Sequence, residues 1–174
     1  WVNVHGHCRE EINRAIIEQL GKLEHSTLLG LANVPSVELA KKLVEITPPG
    51  LEKVFFSDNG STAVEAGLKI AYQYHRQRKD NPGERKLFVT VGEAYHGDTV
   101  GSVSLGHIAL FHRVYGDMLF ETLTIPTPYP YRSESGDSEV CKRESLDALE
   151  KVVSERRDEI AGVVIEPLVQ GAGG

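Results

Sequence analysis

The chain has 174 residues, 40% of them hydrophobic and 25% charged, which is enough for one globular domain with a sizeable core. The net charge of −6 argues against a nucleic-acid-binding surface, which needs clustered lysine and arginine. No apolar run approaches the roughly 20 residues of a membrane span, and the first residues do not resemble a signal peptide. Cys8 and Cys141 form no CxxC pair, which fits a reducing, cytoplasmic environment better than a disulfide framework.

Two amphipathic helices are predicted in the first part of the chain. Apolar residues recur with helical spacing from Glu11 to Leu23. A second helical pattern follows Pro35, with Ser36 as the expected N-cap, and it ends at Pro48 and Pro49.

Further along, short apolar strands alternate with amphipathic helices. Strands are predicted at residues 54–56, 86–91, 122–125 and 162–165, and helices at residues 62–79 and 145–157. The last of these helices is expected to face inward through Leu146, Leu149, Val152 and Val153. The alternation is typical of an α/β fold with a mostly parallel sheet and flanking helices. Because such sheets bind ligands beyond the carboxyl ends of their strands, the loops after residues 56, 91 and 165 are the candidate functional loops.

The first candidate loop, residues 58–61, leads from a predicted strand into a predicted helix. A helix N-terminus offers free backbone N–H groups and the positive end of the helix dipole, which together suit a phosphate. Gly60 would let an anion approach the backbone closely, and Ser61 could add a hydroxyl donor. A simple capped turn is the alternative, and for one short loop it is the commoner arrangement.

The other two loops each carry residues that could serve a site. Tyr95 could stack on a flat ring. Asp98 could contact a cationic group or, the favoured interpretation, cap the helix expected from Thr99. Glu166 ends an apolar strand, where a carboxylate is costly without a partner, so it indicates either a functional site or a structural ion pair.

Two other chemistries receive little support. The run from His5 to Cys8 resembles part of a metal site, but no second cluster supplies the remaining ligands, so no metal is expected. The GxSxG elbow of a Ser/His/Asp hydrolase does not occur in the sequence.

Taken together, these loops resemble the class III, fold-type I aminotransferases, which use pyridoxal 5'-phosphate (PLP). The matching stretches are WVNVHGH at residues 1–7, HSTLLG at 25–30, VFFSDNGSTAVE at 54–65, AYHGDT at 94–99 and VIEPLVQGAGG at 164–174. The resemblance implies that an amino group passes from a small-molecule donor to a keto acceptor. It also implies a homodimer, with residues 26–35 at the subunit interface.

The resemblance assigns roles to individual residues. The implied cofactor-binding residues are Gly60, Ser61, Tyr95, His96 and Glu166, and the implied substrate-binding residues are Trp1, Tyr95 and Asp98. Gly60 and Ser61 would bind the cofactor phosphate, and Tyr95 would cover the pyridoxal ring. His96 would shape the turn after Tyr95.

No catalytic residue is expected within the chain, because the resemblance places the Schiff-base lysine beyond Gly174. Residues 1–174 are therefore expected to form an incomplete PLP-binding large domain that is inactive alone, without the smaller C-terminal domain. Three functions stay open: an aminotransferase of biotin biosynthesis, another class III enzyme of the ornithine, GABA or pyruvate type, and a non-catalytic module that binds a phosphate or a partner.

Overall fold

The computed structural model describes residues 3–80, 84–106 and 108–173, which fall into two compact units, Trp1–Phe55 and Phe56–Gly174. The first unit contains α1 (Glu10–Leu20) and α2 (Val34–Ile46). The second contains α3 (Gly60–Gln77), β1 (Leu87–Val91), α4 (Val100–Leu105), α5 (Ala109–His112), β2 (Leu123–Ile125), α6 (Ser138–Arg156) and β3 (Ile160–Val164), with short 3₁₀ turns at Arg113–Met118 and Pro130–Arg132. None of the described helices is both long enough and apolar enough to cross a membrane.

The helices of the first unit form where the sequence predicts them. In α1 the apolar stripe is open to solvent, since Ile16 is 54% and Leu20 58% exposed. In α2 the N-cap is Asn33, whose side chain accepts a hydrogen bond from the Ser36 N–H at 3.0 Å. The prediction of Ser36 as the cap was wrong, because Pro35 fits the first helical turn and the cap must precede it.

The predicted strand at residues 54–56 was wrong. These residues are extended but carry no strand pairing, and Phe55 is 70% exposed. The described sheet consists of β1, β2 and β3, and none of these strands pairs with the segment. A three-residue apolar run cannot show whether a partner strand exists for it.

The second unit is built on a parallel sheet with the strand order β2-β1-β3. Val89 of the central strand lies opposite Leu123 on one side and Val163 on the other. Because β1 is covered on both faces, Leu87, Phe88 and Val89 are all buried. The predicted α/β class with a mostly parallel sheet is confirmed.

Helices cover both faces of this sheet. Leu68 of α3, Leu105 of α4 and Phe88 belong to one buried cluster. Val89 and Ile125 belong to a second cluster, on the face that α6 covers. The two clusters hold β1 between α3 and α6, and so fix where the loop after β1 begins.

Helix α6 is longer than the sequence predicts, because Asp137 caps its start by accepting hydrogen bonds from two N–H groups of the first turn. Leu149 and Val152 pack against the core, as expected. Leu146 and Val153 are 53% and 40% exposed, so the inward face is narrower than predicted.

The start of α3 is fixed by a reciprocal cap. Asn59 Oδ1 accepts from the Thr62 N–H at 3.0 Å, and Thr62 Oγ1 accepts from the Asn59 N–H at 3.1 Å. We expect Asn59→Ala to lower the free energy of unfolding of the complete protein by about 1 kcal/mol, measured by chemical denaturation. Asn59→Asp keeps the acceptor and should leave stability nearly unchanged. Equal stability of the alanine variant and the unaltered protein would contradict a contribution from the cap.

Candidate functional site

The loops that follow the three strands meet at the carboxyl edge of the sheet. Gln170, in the loop after β3, donates from Nε2 to the Gly92 carbonyl at 2.8 Å. Its Oε1 accepts from the Thr127 hydroxyl, in the loop after β2, also at 2.8 Å. The loops after residues 91 and 165 therefore lie together, as the parallel topology predicts, and the loop after β2 joins them.

Glu166 ties two of these loops together. Its Oε1 accepts from the Tyr95 N–H at 2.9 Å, and its Oε2 accepts from the Gly171 N–H at 2.7 Å. Among the described residues, these N–H groups take the place of the structural ion pair that the sequence left open. Residues 92–99, which join β1 to α4 and contain Tyr95, are called the tyrosine loop. The carboxylate thus sets the distance between the tyrosine loop and the loop after β3.

The first turn of α3 presents unused hydrogen-bond donors. The Asn59 and Thr62 N–H groups are satisfied by the capping box, whereas those of Gly60 and Ser61 have no partner among the described residues. The space beside Gly60 is open, with no atom within 4 Å of the position that a Cβ would take. Two free donors at the positive end of an 18-residue helix form an arrangement that can hold an anion.

The tyrosine loop contacts this first turn directly. The Asp98 N–H donates to Ser61 Oγ at 3.3 Å, and the Tyr95 hydroxyl donates to Asp98 Oδ2 at 2.6 Å. The bond to Asp98 and, to a lesser extent, burial raise the pKa of Tyr95 above its ordinary value of 10.0. Ser61, Tyr95 and Asp98 therefore form one cluster at the start of α3.

The prediction that Asp98 caps the following helix was wrong. Thr99 is the N-cap of α4, and no side-chain hydrogen bond caps that helix. The Asp98 carboxylate accepts from Tyr95 instead. The local pattern could not reveal this, because the tyrosine precedes the aspartate in an irregular loop.

Sequence reasoning missed an aromatic contact behind Tyr95. The His112 ring lies nearly parallel to the Tyr95 ring, with an interplanar angle of 15° and ring centroids 6.5 Å apart. His112 is buried, with 6% of its surface exposed. No sequence signal pointed to this pair, because the intervening chain must fold back before the rings meet.

His96 follows Tyr95 and is partly enclosed. Its Nε2 atom is buried and lacks a hydrogen-bond partner among the described residues. Burial lowers the pKa of His96 below its ordinary value of 6.5, and the nearby Glu166 carboxylate opposes that shift. The neutral imidazole is therefore the form that the folded chain favours.

This shift predicts a pH-dependent stability. As the pH falls through 6.5, the unfolded chain takes up a proton on His96, whereas the folded chain does so only at lower pH. The free energy of unfolding should therefore decrease as the pH falls through this window. We expect His96→Gln to flatten that part of the pH profile, measured by denaturation from about pH 8 to about pH 5. Parallel profiles for the variant and the unaltered protein would contradict the prediction.

The structure thus brings most of the predicted site residues to one edge of the second unit. Asp98 bonds to both Ser61 and Tyr95, and Glu166 bonds to the Tyr95 backbone. Gly60 precedes Ser61 in the same helical turn. Trp1 lies outside the described residues.

The sequence is similar to those of known aminotransferases. A family model described as aminotransferase class-III matches residues 1–174. The chain is 54% identical over 176 residues to an adenosylmethionine-8-amino-7-oxononanoate aminotransferase of Geobacter sulfurreducens, and 47% identical over 175 residues to one of Staphylococcus aureus. Both alignments include 100% of this chain but only 38% and 39% of those relatives, so the chain spans under two fifths of their length.

Solved structures match the fold as well. The crystal structure of an adenosylmethionine-8-amino-7-oxononanoate aminotransferase from Methanocaldococcus jannaschii matches with a TM-score of 0.84 and 43% identity, over 97% of this chain and 35% of that chain. A PLP-bound aminotransferase mutant from Vibrio fluvialis matches with a TM-score of 0.87 and 28% identity, over 99% of this chain and 38% of that chain. These matches confirm the prediction that the chain forms part of the fold-type I transferase fold.

Proposed function

We propose, because this chain belongs to the class III aminotransferases, that the complete protein converts 7-keto-8-aminopelargonate to 7,8-diaminopelargonate in biotin biosynthesis. The amino donor would be S-adenosylmethionine or lysine. The observation that carries the proposal is the meeting of Ser61, Tyr95 and Glu166 at one edge of the sheet. The chain that holds them is 54% identical to a relative named for a reaction of this kind.

The proposal includes the context in which the chain acts. Residues 1–174 would form part of the PLP-binding large domain of a cytoplasmic homodimer, with residues 26–35 at the subunit interface. The lysine that binds the cofactor covalently would come from outside these residues. The chain alone would therefore be inactive.

The described residues fit PLP as the cofactor. The unpartnered N–H groups of Gly60 and Ser61 suit a phosphate, and the open space beside Gly60 allows it to approach the backbone. Tyr95 has a flat ring whose hydroxyl is held by Asp98, and its backbone N–H is held by Glu166. A ring fixed in this way can cover one face of another ring without paying further ordering entropy.

Each group would have a separate task in the reaction. When bound, PLP supplies the electron sink that makes amino-group transfer feasible. Gly60 and Ser61 would anchor the phosphate, and Tyr95 would cover the ring and keep water from one face. Glu166 would hold the tyrosine loop in register with Gly171, which keeps the site in one geometry.

A cavity beside the tyrosine loop supports an aliphatic acceptor. Its volume is about 590 Å³, and it is lined by Asp98, Val100, Val103, Leu110, His112, Tyr115, Met118 and Leu119. A mainly apolar wall with one carboxylate, beside the polar groups of His112 and Tyr115, suits a hydrocarbon chain that bears an amine, as 7-keto-8-aminopelargonate does. In the proposal Trp1, Tyr95 and Asp98 line the substrate site.

The test uses the complete protein purified with PLP. We expect the absorbance band of bound PLP, and amine transfer to 7-keto-8-aminopelargonate from S-adenosylmethionine or lysine. Ornithine, GABA and pyruvate as alternative substrates are the matched comparison. Absence of the PLP band, or turnover of these alternative substrates alone, would overturn the proposal.

A further inference from the structure

Helix α3 and the start of α4 dock through hydrogen bonds that lie on one face of α3. Ser61 and Glu65 are four residues apart, so their side chains project from the same face on successive turns. Glu65 Oε1 accepts from the Gly101 N–H at 2.8 Å. The Ser61 carbonyl accepts from the Ser102 hydroxyl at 3.1 Å. The first turn of α3, with the free N–H groups of Gly60 and Ser61, is called the anion-binding turn. These bonds fix it to the start of α4, which follows the tyrosine loop.

Two glycines make this close approach possible. A Cβ on Gly97 would stand 2.0 Å from Ser61 Oγ, and a Cβ on Gly101 would stand 2.4 Å from one carboxylate oxygen of Glu65. Like Ser61 and Glu65, the glycines are four residues apart, and each faces one of them. The backbone at residues 97 and 101 can therefore lie directly against α3, because neither residue has a side chain to separate them.

Of the hydrogen bonds that join α3 to residues 98–102, the one accepted by Glu65 is of the strongest type. It is a charge-assisted bond of 2.8 Å, whereas the bond from the Asp98 N–H to Ser61 Oγ is 3.3 Å long between uncharged groups. Gly101 and Ser102 are buried, and the bonds that they make to α3 are partly buried. Losing the carboxylate would leave the Gly101 N–H without its acceptor in that interface.

We infer that Glu65 is a positioning residue, which holds the anion-binding turn of α3 at a fixed distance from the tyrosine loop. Its hydrogen bond goes to the Gly101 N–H and not to Tyr95 or to the N–H groups of Gly60 and Ser61. It acts by keeping the first turn of α3 and the tyrosine loop in one fixed relative position. The inference rests on the proposed function, in which that turn binds the cofactor phosphate and Tyr95 covers the ring.

The test compares PLP with pyridoxal, which lacks the phosphate, in the complete protein below the unfolding temperature of every variant. We expect Glu65→Ala to weaken PLP binding by about tenfold and pyridoxal binding much less. Glu65→Gln keeps an acceptor oxygen and should restore most of the PLP affinity. Glu65→Asp keeps the charge but is one methylene shorter, so it should behave like the alanine variant even if the latter folds poorly.

A matched control separates positioning from general stability. Ser145 is a buried residue whose hydroxyl donates to the Pro126 carbonyl at 2.7 Å, on the other side of the sheet from α3. Ser145→Ala should lower stability and leave PLP affinity unchanged. If Glu65→Ala also lowers stability without changing PLP affinity, or weakens PLP and pyridoxal equally, the inference is overturned.

A second readout does not require the cofactor. In the cofactor-free protein, Glu65→Ala and Glu65→Asp should speed hydrogen exchange at the Gly101 and Asp98 amides, and Ser145→Ala should not. If the unaltered protein binds no PLP, the proposed function fails, while the exchange comparison still decides whether Glu65 docks α3. Unchanged exchange in both Glu65 variants would overturn the inference.

Discussion

Gly97→Ala is expected to lower the free energy of unfolding of the complete protein by about 2–4 kcal/mol and to weaken PLP binding by about tenfold or more. Gly97 has a φ of +126°, which L side chains rarely adopt. An added Cβ would also stand 2.0 Å from Ser61 Oγ and 2.9 Å from Ser61 Cα. A rotamer change could relieve the first clash but not the second, so the tyrosine loop must move away from α3.

Gly136→Ala is the matched control for this substitution. Gly136 also has a positive φ, +61°, but no atom lies within 4 Å of the position of its Cβ. It should cost only the backbone strain, about 1 kcal/mol, and should leave PLP binding unchanged. Denaturation curves and PLP titrations of the two variants make the comparison. Equal effects would show that the contact between Gly97 and Ser61 does not matter.

Glu166→Ala is expected to have the second-largest effect. The carboxylate satisfies the N–H groups of Tyr95 and Gly171, and its removal leaves both without their acceptor. Because the Tyr95 N–H is partly buried and the Gly171 N–H is exposed, the expected loss is about 1–3 kcal/mol in the free energy of unfolding, together with a large fall in the rate of amine transfer. Glu166→Gln keeps one acceptor oxygen and should fall between the alanine variant and the unaltered protein.

Glu159 provides a control for the loss of a carboxylate. It forms an ion pair with Arg156 at 2.8 Å, away from the loops at the carboxyl edge of the sheet. Because this pair is partly exposed to solvent, Glu159→Ala should change stability by less than about 1 kcal/mol and leave the rate unaltered. The role assigned to Glu166 would be wrong if its alanine variant matched Glu159→Ala in both stability and rate.

The fold was predictable where local patterns suffice. The central strand β1 is buried on both faces, so its apolar run marks it clearly, and the helical stripes located α1, α2, α3 and α6. Residues 54–56 carry the same apolar signal, but a strand also needs a partner, which a local pattern does not contain. The caps at Ser36 and Asp98 were wrong for a related reason, since Pro35 and Tyr95 decide which side chain is free to cap.

The candidate site could also be predicted only in part from the sequence. The phosphate-binding turn at Gly60 and Ser61 and the loop with Tyr95 could be proposed from short motifs and from their resemblance to a family. Contacts between distant segments could not, because they depend on how α3, α4 and the tyrosine loop pack together. The bond from Gly101 to Glu65 and the stacking of Tyr95 on His112 are the clearest cases.

The most direct test of the central claim is a crystal structure of the complete protein with PLP bound. We predict that phosphate oxygens lie about 3 Å from the backbone nitrogens of Gly60 and Ser61, with the Tyr95 ring over one face of the pyridoxal ring. A phosphate bound elsewhere, with the first turn of α3 still open to solvent, would contradict the claim that this turn is the cofactor anchor.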